Sequence, residues 1–155
     1  MQLSLVVVGK LRPTLREVCD DYLARLGRFV RVIEREVREA GRAGSEAQQR
    51  EVEGVRLIEA IDQHTPIVLL DLAGAKWSSE QLAVELDRWR LEGRDRAFVI
   101  GGATGVSTAV RKRAQVTWSL GPLTLPHELA RVVVLEQLYR ASTILQGTPY
   151  HKGAR

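Results

Sequence analysis

Cysteine is almost absent from this chain, and a single thiol, Cys19, excludes an intrachain disulfide. A chain without disulfides suits a reducing compartment. Cys19 lies among helix-forming residues, and nothing near it in the sequence marks an activated nucleophile. We therefore expect it to pack as a small apolar side chain.

Histidine is also scarce, with three residues at positions 64, 127 and 151. Together with one cysteine they give no metal-ligand spacing, so no metal is expected. No apolar run approaches the roughly 20 residues of a membrane-spanning helix. The apolar stretch at residues 3–8 is too short for a secretory signal. These absences predict a soluble, cytoplasmic protein without a membrane partner.

Several catalytic and nucleotide-binding motifs are missing. The chain has no Gly-x-Ser-x-Gly nucleophile elbow. Its glycine-rich run at residues 101–105 departs from the Gly-x-Gly-x-x-Gly order of dinucleotide-binding turns. No Lys-Ser/Thr pair follows that run, as it would in a phosphate-binding loop. The enzyme classes that these motifs define are therefore poorly supported.

What is present describes an ordinary globular protein, with 45% apolar and 27% charged residues. Without repeats, low-complexity segments or long linkers, the sequence predicts a single domain over residues 1–155. The net charge of +4 favours an anionic partner such as nucleic acid. A mildly basic surface without a specific role explains the charge as well.

Hydrophobic runs predict five strands that alternate with helices. The strands are expected at residues 2–8, 30–37, 67–72, 97–100 and 115–120. The second should be more exposed. The third begins with an unbroken apolar run, should be covered on both faces and should end at Gly74. The alternation predicts an α/β fold with a mostly parallel sheet and helices on both faces.

Helix boundaries are marked by capping residues. Three stretches have capping-box spacing: Thr14-x-x-Glu17, Ser45-x-x-Gln48 and Ser78-x-x-Gln81. The helix after Ser45 is expected to include Ile61. The last helix is expected to begin near Pro126, with this proline at its first helical position.

Ligands of open parallel sheets bind outside the carboxyl ends of the strands. Three predicted strand ends carry glycine-bearing turns, at residues 70–74, 100–105 and 120–125. Because glycine lets backbone groups approach a ligand closely, these turns are candidate binding loops. Asp71 could be a strand-end acid, but a structural role in its loop is the favoured interpretation.

The C-terminal tail concentrates functional groups in Tyr150, His151 and Lys152. A solvated basic terminus is the alternative interpretation. Arg140 lies one helical turn after Glu136, so a salt bridge is its alternative role.

Two further candidates have structural alternatives. His127, at a helix start, is expected to pack or cap rather than to catalyse. The basic residues 111–113 could contact RNA or form a solvated helix end.

A set of motifs resembles one family closely. In chain order they are Phe98-Val99-Ile100-Gly101-Gly102 with Gly105, Leu123-Thr124-Leu125-Pro126-His127, Glu136-Gln137-Leu138-Tyr139-Arg140-Ala141 and Pro149-Tyr150-His151-Lys152. Their ordered combination is similar to the 23S ribosomal RNA pseudouridine-N3 methyltransferases of the SPOUT class. The resemblance covers essentially the whole chain.

This resemblance implies a deep C-terminal trefoil knot, an exception to the general absence of knots. It also implies a homodimer that holds S-adenosyl-L-methionine (SAM) beside its interface and acts on the 23S rRNA of the ribosome. The cofactor-binding residues that it implies are Leu70, Gly102, Gly121, Pro122, Leu123, Thr124, Leu125 and Pro126.

The reaction that the resemblance implies requires the proton on N3 to leave. His151 is the candidate base, and Tyr139 and Tyr150 could orient the target base. Arg140 and Lys152 could hold phosphate or stabilise charge on the uracil oxygens. These five residues are the expected catalytic group.

The chain departs from the family pattern at three places. Ala75 separates Gly74 from Lys76, Gly121-Pro122 stands where members often carry a serine, and residues 153–155 extend beyond the usual Tyr-His-Lys ending. A cofactor contact made by the backbone at position 121 does not need the serine side chain and is kept. A contact made by that side chain would be lost. Two alternatives remain open: a SPOUT-type enzyme acting on another RNA such as tRNA, and a non-catalytic ribosome-binding protein.

Overall fold

A computed structural model describes residues 1–42 and 44–152. Ala43 and the extension at residues 153–155 lie outside the described residues. The elements in chain order are β1 (Gln2–Val8), α1 (Pro13–Leu26), β2 (Arg31–Val37), α2 (Glu46–Glu59), β3 (Ile67–Ala75), α3 (Ser79–Glu92), β4 (Arg96–Ile100), α4 (Thr108–Arg113), β5 (Ala114–Trp118), α5 (His127–Gln146) and a terminal 3₁₀ helix (Pro149–Lys152).

The strands form one sheet in the order β2-β1-β4-β3-β5, and the observed pairings are parallel. The α/β class and the parallel sheet are therefore confirmed. β2 lies at an edge and is the more exposed strand, as predicted. Because β4, β3 and β5 are neighbours, the three glycine-bearing turns meet at the carboxyl edge of the sheet.

Alternating strand side chains enter two cores, one on each face of the sheet. Leu5 and Val7 of β1 pack on the face covered by α1, α3 and α5, with Trp89 and the buried Cys19. Val6 of β1 packs on the other face, against α2 and α4. This division explains the long apolar runs of the central strands, and it confirms that helices cover both faces.

Serine caps start two helices as predicted. The hydroxyls of Ser45 and Ser78 each accept a hydrogen bond from the amide three residues on, and glutamine side chains reciprocate. The predicted capping box at Thr14 is wrong. Helix α1 begins instead at Pro13, with Arg12 as its N-cap, because the fixed φ of proline suits the first helical position.

Other boundaries also differ from the sequence prediction, and the starts of β2, β4 and β5 each differ by one residue. Helix α2 ends at Glu59, so Ile61 lies beyond it. Pro126 is the N-cap of α5 rather than its first helical residue. Strand β5 ends at Trp118, before residue 120. Propensity places such ends only to within a residue or two.

Gly74 does not end β3, which continues to Ala75. After an irregular step, Ala75 pairs with Trp118 of β5. A Cβ on Gly74 would lie 2.5–2.6 Å from backbone atoms of Thr117 and Trp118, so the missing side chain lets the two strands close together. Residues 67–69 of β3 are buried, as predicted for a strand covered on both faces. From Leu70 onward the strand is partly exposed.

The trefoil knot and the single domain stay predictions, because strand order and pairing do not define how a chain is threaded. Among the helices of the described residues, none has the length and apolar character to cross a membrane. In the same residues, His, Cys, Asp and Glu side chains form no group of three or more suited to a metal ion.

Candidate cofactor pocket and C-terminal cluster

A pocket of about 240 Å³ opens at the carboxyl edge of the sheet. Residues from all three glycine-bearing turns line it, and the first turn of α5 contributes His127 and Ala130. The strand order produces this arrangement, because it sets the ends of β4, β3 and β5 side by side.

Five of the eight predicted cofactor residues line the pocket: Leu70, Gly102, Leu123, Thr124 and Leu125. The other three, at positions 121, 122 and 126, belong to the same connection between β5 and α5. The pocket lining, among the described residues, includes none of the five predicted catalytic residues.

The pocket wall is mainly apolar side chain and glycine backbone. Buried Trp118 lies in this wall, and its ring stacks on Trp77 at a centroid distance of 5.9 Å. Asp71 is neutralised by Arg111, whose Nη1 lies 2.6 Å from its carboxylate oxygen. This salt bridge connects the end of β3 to α4, which agrees with the structural role expected for Asp71. Such a wall suits a ligand with a flat apolar part held by backbone hydrogen bonds.

A buried arginine fixes the pocket end of α5. Arg131 is 1% exposed and donates hydrogen bonds to Glu36 at 2.6 Å, to Glu34 at 3.3 Å and to the Gly9 carbonyl at 2.9 Å. Sequence analysis missed this residue. The available signal was its helical spacing from the core residue Leu138, which places a charge on the buried face of α5.

Glu128 makes a second attachment of the same turn. Its carboxylate accepts the Arg12 backbone N–H at 2.7 Å and the Arg12 guanidinium at 3.1 Å. These hydrogen bonds hold the pKa of the Glu128 carboxyl below its usual range. The pocket wall supplied by α5 is therefore attached to the loop after β1.

Three of the five predicted catalytic residues, Tyr139, Arg140 and Tyr150, gather around Glu136, which was not predicted as a catalytic residue. Together with His151, which follows Tyr150 in the terminal 3₁₀ helix, they are called the C-terminal cluster. The Tyr139 and Tyr150 rings lie 4.5 Å apart, and the Arg140 guanidinium lies 5.0 Å from the Tyr150 ring centre. The Tyr150 hydroxyl donates to Glu136 at 3.2 Å, and Arg140 Nε donates to the same oxygen at 2.9 Å. Arg140 therefore forms the salt bridge that its spacing indicated.

His151 is oriented by a backbone contact. Its Nδ1 lies 3.1 Å from the carbonyl oxygen of Thr148. Because a carbonyl can only accept, Nδ1 carries the hydrogen in this contact, and the neutral ring keeps a lone pair on Nε2. His151 is half-buried, while Lys152 beside it is exposed.

Tyr150 is unsuited to act as a base. Burial raises the pKa of its hydroxyl, and hydrogen bonding with Tyr22 and the charge of Glu136 raise it further. The hydrogen bond to Glu136 also raises the pKa of Arg140. Near neutrality Tyr150 is therefore a neutral donor and Arg140 a cation.

The pocket and the C-terminal cluster lie apart within one chain. His127 lines the pocket, whereas Arg140 lies roughly 20 Å further along α5 at ~1.5 Å per residue. Tyr139 also contacts Phe29, after α1, at a centroid distance of 6.0 Å. The structure brings five of the eight predicted cofactor residues together in the pocket and three of the five predicted catalytic residues together around Glu136, but it does not bring the two groups together.

The basic residues 111–113 do not act as a unit. Arg111 pairs with Asp71, and Arg113 donates to backbone carbonyls of the turn before β3. Lys112 alone of the three is exposed without such a contact among the described residues. Two of the three candidate RNA contacts therefore have structural roles.

Comparisons with known proteins agree with this architecture. The sequence model of the family described as "Predicted SPOUT methyltransferase" matches residues 1–151. Proteins named ribosomal RNA large subunit methyltransferase H are similar over their full length. The one from Methylococcus capsulatus is 44% identical over 98% of this chain, and the one from Gloeobacter violaceus is 45% identical over 99%.

Solved structures show the same fold. A probable methyltransferase from Bordetella pertussis superimposes with a TM-score of 0.56 at 16% identity, covering 90% of this chain and 95% of that one. A putative methyltransferase from Legionella pneumophila, solved with bound SAM, gives 0.53 at 15% identity, covering 91% and 66%. The family predicted from the sequence motifs is confirmed, and this chain belongs to the SPOUT methyltransferases.

Proposed function

We propose that this chain transfers a methyl group from SAM to N3 of a pseudouridine in the large-subunit ribosomal RNA. The observation that carries the proposal is the convergence of three glycine-bearing turns in one apolar pocket, in a member of a methyltransferase family. The names of the similar proteins support ribosomal RNA as the substrate class.

The pocket residues fit SAM. Leu70, Leu123 and Leu125 can enclose an adenine ring, and the backbone at Gly102 and Thr124 can bond its edge and the ribose. When bound there, SAM supplies an electrophilic methyl group on a sulfonium. A largely neutral wall suits this cation, because a free arginine or lysine there would repel it.

The C-terminal cluster supplies the proton chemistry in this proposal. N3 lies between two carbonyls and becomes nucleophilic when its proton leaves, and in this proposal His151 Nε2 accepts that proton. The contact of Nδ1 with the Thr148 carbonyl supports this role, because a hydrogen on Nδ1 leaves the lone pair on Nε2. Arg140 stabilises the charge that develops on a uracil oxygen. Tyr150, whose hydroxyl donates to Glu136, orients the base through its ring.

Two copies of the chain complete the site in this proposal. A pocket and a cluster roughly 20 Å apart along α5 meet if two chains pack with their α5 helices antiparallel about a twofold axis. Exposed apolar side chains occur at both regions, with Leu123 and Leu129 near the pocket and Phe29 and Leu145 near the cluster. The tail of one protomer then enters the pocket of its partner.

The direct test is methyl transfer from labelled SAM to purified ribosomes from a strain lacking the corresponding gene. We expect one methyl group per large subunit, mapped by mass spectrometry to N3 of one pseudouridine. Labelling of tRNA instead would establish the alternative RNA substrate. Calorimetry with SAM tests the non-catalytic alternative, since absence of binding would favour a ribosome-binding protein.

The ribosome itself is the expected substrate, and the cytoplasm the expected location. The chain is a small domain and offers little surface for reading RNA sequence, so recognition of an assembled surface is required. Naked rRNA fragments should therefore be methylated far more slowly than ribosomes. Equal rates on both would show that the assembled surface has no role.

A further inference from the structure

Two helices, α1 and α5, begin without a side-chain cap. Helices α2, α3 and α4 each start with a serine hydroxyl that accepts a first-turn amide. Arg12 and Pro126, the N-caps of α1 and α5, make no such bond among the described residues. Since first-turn amides have no partner within the helix, such a start frays unless other parts of the chain hold it. This matters at α5, whose first turn supplies His127 and Ala130 to the pocket.

The loop after β1, at residues 9–12, holds the first turn of α5. Arg131 Nη2 donates to the Gly9 carbonyl at 2.9 Å. Glu128 accepts the backbone N–H of Arg12 at 2.7 Å. The same loop leads into α1, so the two uncapped helix starts are attached to one another through it.

This loop also borders the pocket. Strand β1 lies beside β4 in the sheet, and the turn after β4 lines the pocket. A Cβ on Gly102 of that turn would lie 3.1 Å from Val8 Cγ1, at the end of β1. Val8 directly precedes Gly9, whose carbonyl accepts from α5. The pocket turn, the end of β1 and the first turn of α5 are therefore in one continuous series of contacts.

Arg131 makes the strongest of the attachments of α5. Its side chain is buried and bonds to Glu36 at 2.6 Å and to Glu34 at 3.3 Å, both on β2. Charge-assisted hydrogen bonds of a buried guanidinium are stronger than neutral ones. The ion pair of Arg12 with Glu128 lies at the surface, where such pairs contribute little. The position of the first turn of α5 therefore depends mainly on Arg131.

The fold does not depend on Arg131 to the same degree. Arg16 of α1 also contacts the two carboxylates, with its Nη1 2.7 Å from Glu34 and 3.7 Å from Glu36. When Arg131 is replaced, both carboxylates still face a cation. The large cost of an unpaired buried charge is thus avoided, and we expect the variant to fold.

We propose that Arg131 is a positioning residue for SAM binding, which holds the first turn of α5 against the pocket through the Gly9 carbonyl and the two carboxylates of β2. The pocket lining, in the part of the chain that the structure describes, does not include Arg131. Arg131 acts through His127 and Ala130, because a binding wall must be held in place by residues behind it. The inference rests on the proposed function in that it places SAM in this pocket.

Arg131→Met tests the proposal, because it keeps an unbranched apolar side chain and removes the guanidinium. Arg96→Met is the matched control. Arg96 is 5% exposed and bonds to Glu92 and to two backbone carbonyls, but it starts β4, at the opposite edge of the sheet from the pocket. Both variants should be less stable to urea than the parent protein.

Calorimetry with SAM should separate the two variants. The Kd for SAM should rise on the order of tenfold in Arg131→Met and should be unchanged in Arg96→Met. On ribosomes, KM for SAM should rise in parallel in Arg131→Met, while kcat at saturating SAM is kept. Equal changes in both variants would reduce Arg131 to a purely structural role, and an unchanged Kd in Arg131→Met would overturn the proposal.

Amide hydrogen exchange measures the positioning without any cofactor. The Ala130 amide donates to the Pro126 carbonyl at 2.9 Å, and the Leu82 amide makes the equivalent bond to Ser78 at the capped start of α3. In Arg131→Met the exchange rate of Ala130 relative to that of Leu82 should increase on the order of tenfold. In Arg96→Met this ratio should match the parent protein. The same ratio in all three proteins would contradict the role of Arg131.

Arg131→Lys provides the test if the methionine variant does not fold. Lysine keeps the charge but lacks the planar fork, so it cannot bond to the carbonyl and both carboxylates at once. The Kd for SAM should lie between the values of the parent and of Arg131→Met. Binding as tight as that of the parent would show that the fork is not needed for positioning.

These measurements separate the role of Arg131 from the proposed function. If the parent protein binds SAM and the variants differ as expected, but ribosomes are not methylated, the proposed function fails and the role of Arg131 stands. If ribosomes are methylated and Arg131→Met binds SAM as the parent does, the role of Arg131 fails and the proposed function stands.

Discussion

The buried thiol of Cys19 affects how the free energy of unfolding depends on pH. Burial raises the pKa of Cys19 from 9.0 to about 11, and the nearby charge of Glu34 adds to the shift. The folded protein therefore holds this proton more tightly than the unfolded chain. The free energy of unfolding should be unaffected below the unfolded pKa and should fall by about 2 kcal/mol as the pH rises toward the folded pKa.

Cys19→Ala removes this contribution. Urea unfolding of both proteins across the same alkaline range should show a shallower fall for the variant, whatever its stability at neutral pH. Other groups titrate identically in the two proteins, so the difference reports Cys19. Parallel curves would mean that the thiol titrates alike in both states.

His151→Ala tests the proton acceptor of the C-terminal cluster. The variant should lose ~10²-fold or more in methylation rate, as general-base removal typically does, while its affinity for SAM is kept. His64→Ala, at an exposed histidine in a turn, is the matched control and should be fully active. Unchanged turnover of the His151 variant would remove this residue from the chemistry.

For single residues, the predictions from the sequence were correct where neighbours in the chain determine the environment of the side chain. Cys19 was assigned to the core from its helical context, and the salt bridge of Arg140 from spacing alone. Arg131 was missed because its partners lie on other parts of the chain, and burial of a charge depends on those partners. Non-local pairing of this kind has no signal in a short window of sequence.

Strand β3 shows that a contact with a neighbouring strand can override the rule that glycine ends a strand. Glycine in a strand usually marks its end, yet at Gly74 the close approach of β5 requires a residue without a side chain. Ser45 and Ser78, by contrast, start their helices as predicted, since a capping box involves only residues three apart.

Gly74→Ala should separate the ends of β3 and β5 beside the pocket. The contacts at 2.5–2.6 Å are with backbone, which cannot rotate away, so we expect a loss of 1–3 kcal/mol, at about the cost of overpacking. SAM affinity should fall as well. Ala73→Ser adds one atom at an exposed neighbouring position and should change neither quantity. Normal SAM binding by Gly74→Ala would show that this strand closure does not shape the pocket.

For the whole molecule, the carboxyl-edge location of the pocket was predictable, because parallel strands bring their ends to one edge. The position of the C-terminal tail relative to the pocket was not predictable from the sequence. It depends on where the chain leaves α5 and on which surfaces pair between copies, and neither has a local signature. The distance of roughly 20 Å between the two groups therefore calls for an experiment on the assembly.

Mixing two inactive variants tests the assembly directly. His151→Ala keeps the pocket, whereas Gly101→Val keeps the tail but places a side chain within 2.5 Å of Val106, which deforms the pocket turn. If each tail serves the pocket of its partner, a mixed dimer contains one complete site. Random mixing should then restore about one quarter of the parent activity on ribosomes.

If each tail serves its own pocket, mixing restores nothing, since every pocket with an intact turn then carries a defective tail. Both variants must be unfolded and refolded together so that subunits exchange, and calorimetry should find SAM binding in the His151→Ala protomers of the mixture. Recovery of activity under these conditions would establish that the methylation site is built from two chains. Absence of recovery, with SAM still bound, would confine the tail to its own protomer and remove the physical basis for pairing α5 helices.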